Sequence, residues 1–346
     1  MANTWLRAMG FAVMLAASLC AQTPPQRGGR GGGNAADRRG ALREPHFVPA
    51  RQADFLKDSD LVIGVSENGV AKAYSRDVTA WHHVIHDTFG NMPVIVTWCS
   101  LCNTPLVFKS EVEGRKLTFE RTDNRGNNFI MVDKETGSVW QQVTGQAYEG
   151  PLKGKRLTIV PFLTTTWGEW RARNPQTLAL VPEADSQAGY AQMMTRFAEM
   201  PFGKDTMPAR SPLVRDLDKR LPASEQVIGI EIGDAHKAYA ISVLRRDALI
   251  NDRVGSTPVL LVHAAASETT TAFSRTLGAR TLTFKASGAA GVLADNETGS
   301  QWNTYGECTS GSLRGQKLQR IVPQPGLWFA WAEFYPDTQV YSPAPR

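Results

Sequence analysis

Alternating apolar and polar positions mark the first readable segment. In VIGVSENGVAKAY, apolar residues at every second position flank Asn68-Gly69, the strongest short-range hairpin signal, because both turn residues tolerate a left-handed backbone. Ser75 to His86 carries a helical spacing with Ser75 or Asp77 as its cap. MPVIVTW is a short β-branched run and predicts a buried strand. TPLVFKSEVEGRKLTFE predicts a hairpin around a Glu-Gly turn, and NFIMVDKETGSVW another, turning at Lys134 to Gly137. Trp167 to Arg173 predicts a short amphipathic helix. The fold class is α+β, mainly β, with short helices.

The whole pattern then recurs. Val62 to Phe119 aligns on Val227 to Phe284 at a constant offset of 165, with 18 of 58 positions identical and no gap. After a short deletion, Glu135-Thr136-Gly137-Ser138 and Trp140 match Glu297-Thr298-Gly299-Ser300 and Trp302, and Trp167, Trp170 and Pro175 match Trp328, Trp331 and Pro336. A repeat this long is not a solenoid module. It predicts two pseudo-equivalent β-rich units from an internal duplication: residues 58–183, a connector 184–221 that packs in part on a unit, and residues 222–341.

Ahead of the units, Arg7 and the apolar stretch Met9 to Leu19 read as a signal peptide ending near residue 21. That stretch is too short to span a bilayer. Lipidation at Cys20 is disfavoured by the bulky Leu19 before it. The expected location is therefore periplasmic or secreted. Residues 22–57 begin with a Gly/Arg/Pro-rich run that cannot bury a core and read as a disordered leader. Five arginines lie between Gln22 and Pro45, so most of the formal charge of +5 sits outside the fold and nothing points to nucleic acid. No strand leads into a phosphate-cradling glycine loop.

The two units differ where chemistry resides. WCSLC holds Cys99 and Cys102, whereas the second unit has HAAAS, with Ala264 and Ser267 in their places. His82 becomes Asp247, Met131 becomes Leu293, and the stretch from Arg121 to Asn128 shrinks to Lys285 to Ala290. A residue kept in both units builds the scaffold. A reactive residue found in one only is a candidate for function. Cys-x-x-Cys puts two sulfurs within reach of one metal ion or of each other. Thiolate, imidazole and thioether favour copper(I) first and zinc second. The expected ligands are Cys99, Cys102, His82 and Met131, with a small molecule or metal donor as partner and Arg121, Asp123, Asn124 and Asn128 around them. His82 and His86, one turn apart on the predicted helix, could share a metal. HHVIH lacks the glutamate that a zinc protease needs. Met193, Met194, Met200 and Met207 in the connector read as packing, and Cys308 as a free buried thiol. Alternatives are a thiol-disulfide redox pair, a non-catalytic binding module rigidified by a Cys99–Cys102 disulfide, and an enzyme using a cysteine nucleophile with His82.

At WHHVIHDTFGNMPVIVTWCSLC, TGSVWQQVTGQAYEGPLKGKRL and TTTWGEWRARNPQTL the chain resembles domain of unknown function 3179, a bacterial and archaeal family, over about residues 58–341. Its members typically carry WHE and then YCPLCG. Trp81-His82 match, but His83 stands where Glu is usual, and Trp98, Ser100 and Asn103 where Tyr, Pro and Gly are usual. Cys99, Cys102, His82 and Met131 fall on the family's motif positions. The resemblance implies no particular activity.

Overall fold

The computed structural model describes residue 1, residues 40–199 and residues 218–343. In the N-terminal half the strands are β1 (Phe47–Pro49), β2 (Leu61–Glu67), β3 (Val70–Ser75), β4 (Val84–Phe89), β5 (Met92–Cys99), β6 (Thr104–Lys109), β7 (Phe119–Arg125), β8 (Asn128–Asp133), β9 (Val139–Gln141), β10 (Ala147–Glu149), β11 (Leu163–Thr166) and β12 (Leu178–Leu180). Helices α1 (Arg76–His82), α2 (Trp167–Arg173) and α3 (Gln187–Glu199) complete it. Three main sheets result, ordered β1-β12-β3-β2-β11, β4-β5-β6 and β10-β9-β8-β7. The β2–β3 hairpin turns at Asn68 and Gly69, both with positive φ. Gly64 in β2 lies flat under the Trp170 indole, where any side chain would overlap the ring.

The C-terminal half contains β13 (Gln226–Ile232), β14 (Ala235–Ala240), α4 (Ile241–Arg246), β15 (Leu249–Val254), β16 (Thr257–Ala264), β17 (Thr269–Ser274), β18 (Phe284–Ala286), β19 (Val292–Asp295), β20 (Gln301–Asn303), β21 (Cys308–Ser310), β22 (Gln324–Leu327), α5 (Trp328–Phe334) and β23 (Gln339–Val340). The fold is mainly β with short helices. Strand registers recur between the halves: Val62↔Ser75 and Val227↔Ala240, Val84↔Thr97 and Leu249↔Val262, Cys99↔Thr104 and Ala264↔Thr269. Side-chain contacts recur too. The Tyr74 hydroxyl and Lys72 meet Asp87, as Tyr239 and Lys237 meet Asp252. The Trp140 indole donates to Asp133 at 2.8 Å and Trp302 to Asp295 at 2.9 Å. Asp87 is thus a tie between hairpin and sheet.

The halves interlock. β22 lies against β6, and β11 against β17. The Leu327 amide donates to the Cys102 carbonyl at 2.9 Å, and the Thr269 hydroxyl to Thr165 at 2.7 Å. Leu327, Phe329 and Ala330 join the same buried cluster as Cys99 and Cys102. The turn that carries the cysteines is therefore packed between the two halves.

Several expectations are corrected. The helix expected from Ser75 to His86 stops at His82, because His83 takes a positive φ and turns the chain into β4. The leader expected through residue 57 ends earlier: Leu42 bridges to Ile85 and β1 pairs with β12. The Glu-Gly turn forms at Glu113-Gly114, but only a two-residue pair closes it, since β6 pairs back onto β5 and β7 onto β8. In the connector, where a part packed on a unit is expected, no correction is needed: its helix α3 lies on α1. The expected signal peptide, Met200 and Met207 lie outside the described residues. Among the described residues no helix is long and apolar enough to cross a membrane.

Candidate functional site

The β5–β6 ladder continues to the pair Cys99↔Thr104, so the chain must reverse over Ser100 to Asn103. Asn103 accommodates this with φ of 51°, and its side-chain oxygen accepts from the Trp98 indole at 3.1 Å. The reversal turns backbone amides inward. Both sulfurs are buried, Cys99 at 2% and Cys102 at 0% exposure, and both are free thiols.

The two sulfurs are electrostatically unequal. Burial pushes the Cys99 thiol up, but it is outweighed by the Cys102 thiol and by the backbone N–H groups of Cys102, Phe129 and Leu101, all donating to the Cys99 sulfur; the result is a pKa lowered to about 7. Cys102 is pushed well above the ordinary thiol range, first by burial and then by the neighbouring Cys99. Of the two, Cys99 is the more easily ionised and Cys102 the more readily protonated.

A buried amide network surrounds the pair. The Asn128 amide donates to the Cys102 sulfur at 3.3 Å and to Gln142 Oε1 at 2.7 Å, while its oxygen accepts from Gln141 Nε2 at 2.8 Å and the Val143 amide at 2.9 Å. Gln142 in turn donates to the Thr97 hydroxyl at 2.9 Å and the Thr104 carbonyl at 3.2 Å. Asn128, Gln142 and Thr97 are fully buried, so each polar group needs its partner. Sequence reasoning passed over Gln141, Gln142 and Thr97. The signal was available: Thr97 becomes Val262, and Trp140-Gln141-Gln142 becomes Trp302-Asn303-Thr304.

The remaining expected residues disperse. His82 is 5% exposed, with Nε2 3.1 Å from the Tyr190 hydroxyl and 3.5 Å from Glu183 Oε2. It docks α1 onto α3, whose Gly189 abuts the Trp81 ring. His83 instead approaches the thiols' surroundings, its ring edge-on to Phe129 at 5.4 Å. His86 stands on β4 rather than one helical turn from His82, and its Nε2 lies against the backbone of Phe119, 2.9 Å from the carbonyl. Burial lowers its pKa, offset in part by that backbone contact. Among the described residues no three His, Cys, Asp or Glu side chains are placed to hold a metal ion. Met131 is fully buried in the cysteines' core cluster, paired through its backbone with Trp140 and Arg121. Arg121 is partly exposed and reaches Asn124 at 3.4 Å; Asp123 and Asn124 are exposed on the same hairpin. Of the four surrounding residues, only Asn128 touches a sulfur in these contacts. Cys308 is buried, its thiol donating to the Ser310 carbonyl at 3.3 Å.

The chain belongs to the family described as "Protein of unknown function (DUF3179)", which matches residues 38–338. No curated protein and no solved structure matches it.

Proposed function

We propose that this family member works by thiol chemistry at Cys99 and Cys102, as an exported protein in the periplasm or outside the cell. The observation that carries the reading is geometric: two free, buried thiols share one tight turn, and the Asn128 amide donates to the Cys102 sulfur at 3.3 Å; the lowered Cys99 pKa and raised Cys102 pKa agree with it. Cys99 attacks one sulfur of a small disulfide and expels its partner as a thiolate. Cys102 gives its proton to that leaving group and then displaces the second thiol from Cys99. One substrate disulfide is reduced to two thiols, and a Cys99–Cys102 disulfide is formed. The amide network fixes Cys102 while the bond forms. The two halves derive, in this reading, from an internal duplication whose second member lost the reactive groups and remains as the wall over Cys102. Thiol exchange is preferred to metal holding because the His82 ring nitrogen faces Tyr190 and Glu183.

The test is intact-mass measurement of the full chain, reduced and then exposed to oxidised glutathione or cystamine. Loss of two hydrogens, reversed by dithiothreitol, is expected in the wild type and in Cys308→Ser. Cys99→Ser and Cys102→Ser should instead stop at a mixed disulfide or remain unreacted. A wild type that forms no internal disulfide, while its thiols react no faster than free cysteine, would overturn the reading. Copper or zinc that copurifies with wild type and is absent from Cys99→Ser/Cys102→Ser would replace it with the metal reading.

A further inference from the structure

A second site stands apart from the cysteines and does not depend on their chemistry. Between α2 and the segment Tyr305 to Arg320 runs a cleft of about 180 Å³, lined by Arg173 and Arg320 together with Asn174, Tyr305, Ser66 and Thr271. We propose that it binds a small oxyanion, a carboxylate or phosphate group, between the two guanidinium groups.

Two cations share one concavity, and the acids near them are distant or held by other groups. The Arg320 guanidinium donates to the Phe162 carbonyl at 3.2 Å and, among the described residues, has no carboxylate within ion-pairing distance. Arg173 reaches Glu307 only at 3.9 Å. That carboxylate is more closely held by Lys317 and Asn303, each at 2.9 Å. Although the Arg320 residue is exposed overall, desolvation of its guanidinium in the cleft and the charge of Arg173 act to lower its pKa, with Glu67 opposing them. An anion between the two arginines would relieve that repulsion. The site is also stiff. The Arg173 guanidinium lies 3.6 Å from the centre of the Tyr305 ring, and the Tyr305 hydroxyl donates to Glu169. A guanidinium fixed in this way loses little freedom on binding a planar carboxylate or a phosphate.

Comparison of the halves argues that the charges are not needed for folding. Arg320 pairs with Phe273, and the corresponding partner of Phe108 is Ile159. Arg173 ends α2 where Phe334 ends α5. The same framework is thus built elsewhere in the molecule with apolar side chains at both positions.

The experiment is calorimetric titration of the full chain with inorganic phosphate and, separately, with malonate, at constant ionic strength and with chloride as the control. Saturable binding of at least one probe is expected, with the tighter of the two telling whether the natural group is a phosphate or a carboxylate. Arg173→Gln and Arg320→Gln should each weaken it about tenfold, the size of one lost charge-assisted hydrogen bond. Arg320→Lys should bind between wild type and Arg320→Gln. Unchanged far-ultraviolet circular dichroism and an unchanged thermal unfolding midpoint show that the variants are folded. No saturable binding of either probe, or equal binding by wild type and folded glutamine variants, overturns the proposal.

Discussion

The two halves of the molecule present nearly the same ladders with different interiors. Around the β5–β6 turn the N-terminal half buries Thr97, Cys99, Cys102, Asn128 and Gln142. At the corresponding places the C-terminal half has Val262, Ala264, Ser267, Ala290 and Thr304. Both arrangements hold the same register, from Val84↔Thr97 to Cys99↔Thr104 in one and from Leu249↔Val262 to Ala264↔Thr269 in the other. Burying amides and hydroxyls is unfavourable unless every one is satisfied. Since the register forms without them, the polar network is not a requirement of the scaffold. It accompanies the sulfurs. The ties that do recur, such as Trp140 to Asp133 and Trp302 to Asp295, mark what the scaffold needs.

The largest expected effect tests that network. Asn128→Ala removes the acceptor of Gln141 and the Val143 amide and the donor to Gln142 and Cys102. Urea denaturation should show a loss of about 3 kcal/mol, because several buried groups are orphaned together. Ala290→Ser in the other half should change stability by less than about 0.5 kcal/mol. Equal losses would mean that the two halves use these positions alike.

A smaller effect concerns acidity. The ultraviolet thiolate band of the wild type should titrate one sulfur with a midpoint of about 7. Thiols introduced by Ala264→Cys/Ser267→Cys should titrate near the ordinary value of about 8.5. The linkage follows from the sign of the shift. A Cys99 pKa depressed by folding stabilises the native state most above the unfolded thiol pKa, and that stabilisation is lost as pH falls through about 7. Stability of wild type relative to Cys99→Ser should therefore increase as pH rises from about 7 towards the unfolded thiol value. A flat difference across that interval would show that Cys99 is not held as a thiolate.

The smallest effect is expected at His86. In the C-terminal half Asn251 occupies its position and bonds both the carbonyl and the amide of Phe284 at 2.8 Å, as His86 meets those of Phe119. His86→Asn should shift the denaturation midpoint by less than the equivalent of about 0.5 kcal/mol, and His86→Ala by about 1–2 kcal/mol. A large loss in His86→Asn, or loss of thiol oxidation, would give this histidine a role that the scaffold comparison denies it.

Much of the fold was legible in the sequence. Alternation around Asn68-Gly69, the β-branched run of β5 and the Trp167 helix each form at their expected places, because their signals act between near neighbours. The recurrence at offset 165 anticipated the shared registers and drew attention to Cys99 and Cys102. The helix end was misread: spacing alone continued it to His86, whereas the left-handed His83 and the pairing of Val84 with Thr97 stop it. The β7–β8 hairpin was also missed, since its polar residues 121–125 carry no apolar alternation.

By itself the sequence determined the local elements, the twofold pattern and which half carries the reactive side chains, since these rest on spacing and on direct comparison of residues. Only the tertiary structure decided which groups meet. It gave His82 to Tyr190, set the Phe129 amide on the Cys99 sulfur and drew Arg173 and Arg320 to one cleft. The physical reason is that hydrogen bonds and charge contacts act over a few ångströms in space. Strand order and the crossing of one half over the other bring these groups together, and no local pattern encodes that.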